Sequence, residues 1–225
     1  MTTNLQETLQ ASLVDYLAIP TSAPRGSLIV LHAWWGLNNF IRSFCNRLAG
    51  EGFLVLAPDL YHGETANTIE EAQKLRSKLS RKVVEAELIQ AMALLQARPD
   101  LARHSFGGIG FSLGAYWLLW LAEQLSVRLT ASVLFYGARN GDYSRSSSAF
   151  LGHFAEQDDY VSAASVKKLQ KALVSSGKQV SFHTYPGTSH WFFESDRPDA
   201  YRAGAADLAW QRTVSFLQSH LLISE

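Results

Sequence analysis

The sequence predicts an α/β protein with a mostly parallel central sheet and helices on both faces. Three observations predict it. Short apolar runs alternate with longer helical patterns along the chain, as strand–helix–strand units do. The run Ser27–His32 (SLIVLH) is apolar nearly throughout, which suits a strand buried on both faces rather than one half in water. A Gly-rich run, Phe106–Phe111, leads straight into an apolar helical stretch, Leu113–Ala122, with a serine at the corner.

Each element has its own signal. Leu13–Ala18 reads as the first strand and Ser27–His32 as the second. Asn38–Gly50 is amphipathic, with Phe40, Ile41, Phe44, Cys45 and Leu48 at helical spacing and Gly50 closing it. Phe53–Ala57 (FLVLA) is a strand stopped by Pro58. Thr68–Ala97 reads as one long or broken helix opened by an Asn67-Thr68 cap. Phe106–Phe111 is a strand, and Leu113–Ala122, apolar all round, is a buried helix. Strands follow at Ala131–Tyr136 and Ala149–Ala155, then a helix at Ala163–Ser175 capped by Ser162. Val180–Tyr185 is a strand and Ala200–Leu221 the final helix. No internal repeat or long linker divides the 225 residues, so a single domain over 1–225 is expected.

Composition narrows the function. Apolar residues make up 47 % of the chain and charged ones 18 %, which excludes a disordered chain. Twenty basic side chains balance twenty acidic ones, leaving no general pull on nucleic acid or anionic membrane. The single cysteine, Cys45, excludes an internal disulfide and a four-thiolate zinc site and fits a reducing compartment. Residues 1–12 lack the basic start and apolar stretch of a targeting segment. The stretch Leu113–Ala122 covers only half of the ~20 residues a membrane helix needs. The expectation is a soluble cytoplasmic protein, a monomer or small homo-oligomer, with neither nucleic acid nor membrane as a partner. Five basic residues (Lys74, Arg76, Lys78, Arg81 and Lys82) read as a solvated helix face, with Glu85 and Glu87 as counter-charges.

The sharpest chemical signal is Gly110-Phe111-Ser112-Leu113-Gly114, a G-x-S-x-G between a strand and a helix. The serine of such a corner has a strained backbone, and small neighbours leave it room. The following helix start aims free N–H groups at a developing oxyanion. A serine hydroxyl needs a base. Of the histidines that follow, His183 lies inside a strand and His220 near the end of the last helix, whereas His190 sits just past a strand end. That position reaches the carboxyl edge of the sheet, so His190 is the base. The acid should come from the loop after the preceding strand, where Asp158 is the first choice, Asp159 the second and Asp142 the third. The oxyanion donors expected are the backbone N–H of Leu113 and one from the loop His32-Ala33-Trp34-Trp35-Gly36.

These motifs together resemble the dienelactone hydrolase family of α/β-hydrolases. The resemblance runs from about Leu28 to Leu217, over HAWWGLN (His32–Asn38), PDLYHG (Pro58–Gly63), GFSLGA (Gly110–Ala115), AEQDDYV (Ala155–Val161) and YPGTSHWF (Tyr185–Phe192). It implies the α/β-hydrolase fold, with about eight mainly parallel strands. It also implies a triad on Ser112, Asp158 and His190 and an oxyanion donor at Trp34. This chain departs from the family's cysteine nucleophile at Ser112, from a thiol-associated glutamate at Ala33, and from a carboxylate-binding arginine at Glu194. The departures lead to the expectation of a serine esterase for neutral esters, with Glu194 near the pocket mouth repelling anions and Arg76 or Arg81 as fallback cations.

Trp34, Trp35, Tyr116, Trp117, Trp191, Phe192 and Phe193 flank the motifs and suggest an aromatic pocket for a small ester or lactone. His32, Asp59 and His62 read as loop-shaping residues. The histidines are scattered and no H-E-x-x-H occurs, so neither metal nor cofactor is expected. The competing readings are a lactone- or peptide-directed enzyme with the same triad and a non-catalytic binding module on the same fold. Cys45, on the buried stripe of a helix, is a poor nucleophile candidate.

Overall fold

The computed structural model describes residues 15–97, 105–124 and 127–221. Seven strands form one sheet in the order β1-β3-β2-β4-β5-β6-β7, with β1 antiparallel to β3 and every other pairing parallel. The strands are β1 (Tyr16–Ala18), β2 (Gly26–Leu31), β3 (Phe53–Ala57), β4 (Phe106–Phe111), β5 (Leu129–Phe135), β6 (Ala149–Gln157) and β7 (Val180–Ser189). The helices are α1 (Asn39–Gly50), α2 (Ile69–Lys78), α3 (Arg81–Gln96), α4 (Leu113–Ala122), α5 (Ala163–Ser175) and α6 (Ala203–Leu221). The described residues thus hold seven strands where about eight are expected, and Leu13 and Val14 of the expected first strand lie outside them.

Every residue of β2, β3 and β4 is buried, which explains why these segments read as unbroken apolar runs. Two neighbouring glycines of β4 show what covers the sheet. A Cβ on Gly107 would lie 2.8 Å from Leu221 of α6, while one on Gly108 would run into Leu118 of α4. Successive strand residues point to opposite faces, so α6 and α4 clasp the sheet between them. Only glycine lets both helices come that close.

The helix ends follow local chemistry. The Asn38 side chain accepts the Ile41 N–H at 3.1 Å and opens α1, and Gly52, at φ +93°, turns the chain out after it. Thr68 and Glu71 form a reciprocal capping box at the start of α2. The long helical pattern is broken: Leu79 and Ser80 take extended backbone between α2 and α3. The tail of β7 carries Pro186 and Gly187, which an interior strand would not tolerate but an edge strand does.

The order of the strands fixes where a site can form. The chain leaves β2 for β3 on one side and then crosses to β4 on the other. The carboxyl ends of β2 and β4 therefore flank the point where the direction of winding reverses, which is where open α/β sheets hold ligands. The loop after β2 and the turn after β4 meet there.

Candidate active site

The turn after β4 places Ser112 at φ 50°, ψ −107°, a left-handed conformation that side chains rarely adopt. Its N–H is anchored to the Phe135 carbonyl at 2.9 Å. Gly110 and Gly114 make this corner possible. A Cβ on Gly110 would lie 2.5 Å from the Gly114 carbonyl oxygen and 2.6 Å from Cα of Ala115. A Cβ on Gly114 would collide with the Leu31 carbonyl.

His190 directly follows the last residue of β7 and is 3 % exposed. Its Nε2 lies 2.8 Å from Ser112 Oγ, and its Nδ1 lies 2.8 Å and 2.9 Å from the two oxygens of Asp158. An ionised carboxylate only accepts, so Nδ1 carries a proton and Nε2 is left to accept from the serine hydroxyl. Asp158 is fixed in turn by the backbone. Its Oδ1 accepts the N–H groups of Tyr160 at 2.9 Å and Val161 at 2.8 Å. The other acid candidates have other places. Asp142 accepts the Ser144 N–H at 2.9 Å within its own exposed turn, and Asp159 lines a cavity.

Trp34, Ser112 and Leu113 line one cavity of about 400 Å³. Leu113 is the first residue of α4, so helix geometry leaves its N–H unpaired. The Trp34 N–H belongs to the turn closed by Gly36 N–H on the Ala33 carbonyl at 3.2 Å. That turn rests on His32, whose Nδ1 donates to the Ala33 carbonyl at 2.6 Å while Nε2 accepts the Leu60 N–H at 3.1 Å. Burial holds His32 below the usual histidine range, which suits this neutral tautomer. Asp59 accepts the N–H groups of Tyr61 and Gly63 and shapes the neighbouring loop, whereas His62 lies at the surface, 3.4 Å from Glu87.

The aromatic residues separate into distinct groups. Trp34, Tyr116 and Trp117 line the cavity beside Ser112. Trp35 and Trp191 line a second cavity of about 730 Å³ that includes His190. Phe192, expected in the pocket, is instead fully buried against Tyr185 and Tyr136, and Phe193 packs on Phe44, Phe111 and Phe135. The cause is a turn at Trp191, at φ 66°, closed by the Phe192 N–H on the Ser189 carbonyl. It sends the indole outward and the next two rings into the core.

Glu194 also differs from expectation. It does not stand at a pocket mouth; it is 1 % exposed and accepts the Tyr136 hydroxyl at 2.6 Å. Burial pushes its carboxyl up to about 8. The charges that do reach the first cavity are Arg76 and Arg81, and among the described residues no carboxylate lines it. Part of the basic helix face thus lines the cavity, although Arg81 does hold Glu85 at 2.7 Å. On one continuous helix Arg76 and Arg81 would point about 140° apart, five residues at 3.6 per turn. The break at Leu79 and Ser80 lets both face the cavity, and Leu79 itself lines it. Cys45 is buried in α1 with its thiol pushed up to about 12 by desolvation, far from a thiolate.

The dienelactone hydrolase family model matches residues 13–221. The chain belongs to the dienelactone hydrolase family. It is accordingly a carboxylic-ester hydrolase. Among relatives, "Protein usf" of Aquifex pyrophilus is 30 % identical over 219 residues, covering 92 % of this chain and 93 % of that protein. A protein of Aquifex aeolicus named "Putative carboxymethylenebutenolidase" is 27 % identical over the same coverage, 92 % and 93 %. The crystal structure of a Klebsiella pneumoniae protein named "Putative Dienelactone Hydrolase" superposes with a TM-score of 0.77 at 24 % identity, covering 92 % of each chain, and supports the fold. Within this family framework the chain carries a serine at the sharp turn and buries Glu194 four residues beyond the histidine. Among the described residues no helix is long and apolar enough to cross a membrane.

Proposed function

We propose that this member of the dienelactone hydrolase family cleaves carboxylic esters or lactones through an acyl-enzyme on Ser112. The observation that carries the reading is the unbroken chain from Ser112 Oγ through His190 to Asp158, with both contacts at 2.8 Å and the serine in a strained turn. Ser112 Oγ attacks the carbonyl carbon as its proton passes to His190 Nε2. Asp158 holds the imidazole in the right tautomer and offsets the imidazolium charge. The backbone N–H groups of Leu113 and Trp34 receive the oxyanion. The carbon–oxygen bond to the leaving group breaks, and Nε2 returns the proton to the leaving oxygen. Water then repeats the sequence on the acyl-enzyme and releases the acid.

The lining of the first cavity favours substrates with an anionic group on the acyl side. Arg76 and Arg81 reach it, no carboxylate among the described residues does, and Glu194 is too deeply buried to repel a ligand. The test is kcat/KM for a neutral aryl ester and for an ester or lactone of similar size bearing a carboxylate. Wild-type protein should cleave both, with the anionic one preferred at low salt, and Ser112→Ala should cleave neither. Turnover that survives Ser112→Ala excludes the reading.

A further inference from the structure

Two cavities meet at the triad, and they offer different atoms. The first, about 400 Å³, contains Ser112, Trp34 and Leu113. The second, about 730 Å³, contains His190 and not Ser112. Among the described residues only Tyr160 lines both. Its ring meets Trp34 edge-on at 5.4 Å, His190 at 5.0 Å and Trp191 at 4.8 Å, and it is 46 % exposed. Its backbone N–H is held by Asp158, so the ring hangs from a fixed point beside the triad.

We propose that Tyr160 is a partition between an acyl compartment and a leaving-group compartment, and that it decides which end of an ester can be bulky. The inference rests on the Ser112 acyl-enzyme reading. The carbonyl carbon must sit against Ser112 Oγ and its oxygen against the two N–H groups, all on the first cavity. The leaving oxygen must sit against His190 Nε2, which returns the serine's proton to it as the carbon–oxygen bond breaks. The group attached to that oxygen therefore projects past Tyr160 toward the second cavity. The smaller compartment takes the acyl part and the larger one the alcohol part. The protein should therefore discriminate against large acyl groups and tolerate large alcohols. The tyrosine's size, and not its hydroxyl, does the work, since the hydroxyl has no hydrogen-bond partner among the described residues.

The experiment compares kcat/KM for methyl 2-naphthoate, bulky in its acyl part, and 2-naphthyl acetate, bulky in its alcohol. The readout is the ratio of the two relative to wild type. Tyr160→Ala should raise the ratio about tenfold or more by joining the compartments, and Tyr160→Phe should keep the wild-type ratio. Tyr160→Trp should lower it. If Tyr160→Ala lowers both substrates by one factor, the residue merely supports the Asp158 loop and the partition is overturned. A ratio unmoved in all three variants, with turnover that still depends on Ser112, overturns the partition alone. If wild type cleaves neither ester and takes no acyl label on Ser112, the enzyme reading falls with it.

Discussion

Among the described residues two buried histidines each touch a hydroxyl, and only one has the surroundings that the proposed acyl transfer needs. His190 sits between Ser112 and Asp158 at the carboxyl edge of the sheet. His153 sits in the middle of β6, with Nδ1 2.7 Å from the Tyr185 hydroxyl and Nε2 3.0 Å from the Thr213 hydroxyl. Three differences separate them. His190 faces a carboxylate that can offset a positive ring; His153 faces a phenol, and burial holds it well below the usual histidine range. The Ser112 backbone is strained, whereas Thr213 lies inside the regular helix α6. His190 lines a cavity and His153 is sealed from solvent. A hydroxyl–imidazole contact is thus a structural commonplace. The carboxylate behind the ring, the forced turn and the open side are what the proposed chemistry requires in addition.

Substitutions can break that comparison, and the largest effects belong to the first histidine. Ser112→Ala and His190→Ala should each lower kcat/KM by on the order of 10³-fold or more, and the double variant should be little worse, because such residues act as one unit. Asp158→Asn should cost on the order of 10³–10⁴-fold by favouring the wrong tautomer. Steady-state kinetics on an aryl ester checks all three.

His153→Ala should do the opposite. It removes a buried ring and takes the imidazole from the buried Thr213 hydroxyl, while the Tyr185 hydroxyl keeps Arg212 at 3.2 Å, so denaturant unfolding should show a loss of roughly 2–4 kcal/mol. The protein that remains folded should keep kcat within a few-fold. A kcat loss as large as that of His190→Ala would mean the two networks are coupled.

Glu194 sharpens the contrast in another way, since it is a buried acid that lines neither of the two cavities. Its carboxyl is raised from an ordinary 4.5 to about 8, so the folded state holds a proton that the unfolded chain has released. Stability contributed by the neutral acid is therefore present below pH 4.5 and lost as pH rises toward 8, by on the order of a few kcal/mol. Glu194→Gln should remove this fall, so that the variant gains on wild type between those limits. A stability difference independent of pH across that window would contradict the placement of Glu194. The smallest effect concerns the cavity rim. Arg76→Gln or Arg81→Gln should raise KM for an anionic ester about three- to fivefold and leave a neutral one nearly unchanged, with the difference shrinking at high salt.

Sequence reasoning reached the framework because the framework is written in short-range patterns. The unbroken apolar runs, the Asn38 and Thr68 caps and the glycine-flanked Ser112 are local signals with local causes. The pocket was less legible, because its lining depends on where turns aim side chains. Phe192 and Trp191 are adjacent, yet one turn at φ 66° sends them to different surroundings. Arg76 and Arg81 read as part of a solvated basic face with Glu85 and Glu87 as counter-charges, and only the break between α2 and α3 turns both toward the cavity. Tyr160 stood in plain view two residues after Asp158, but nothing local told that its ring would bridge two cavities. The burial of Glu194 depended on a tyrosine 58 residues earlier.

The most direct test of the account is to mix the protein with an activated aryl acetate, quench with acid in the first turnovers and weigh the intact chain. The account predicts a gain of one acetyl group, mapped by peptide analysis to Ser112, absent in Ser112→Ala and formed slowly in His190→Ala. Rapid turnover with no adduct under any quench time, or an adduct mapped to Cys45 or another nucleophile, would contradict it.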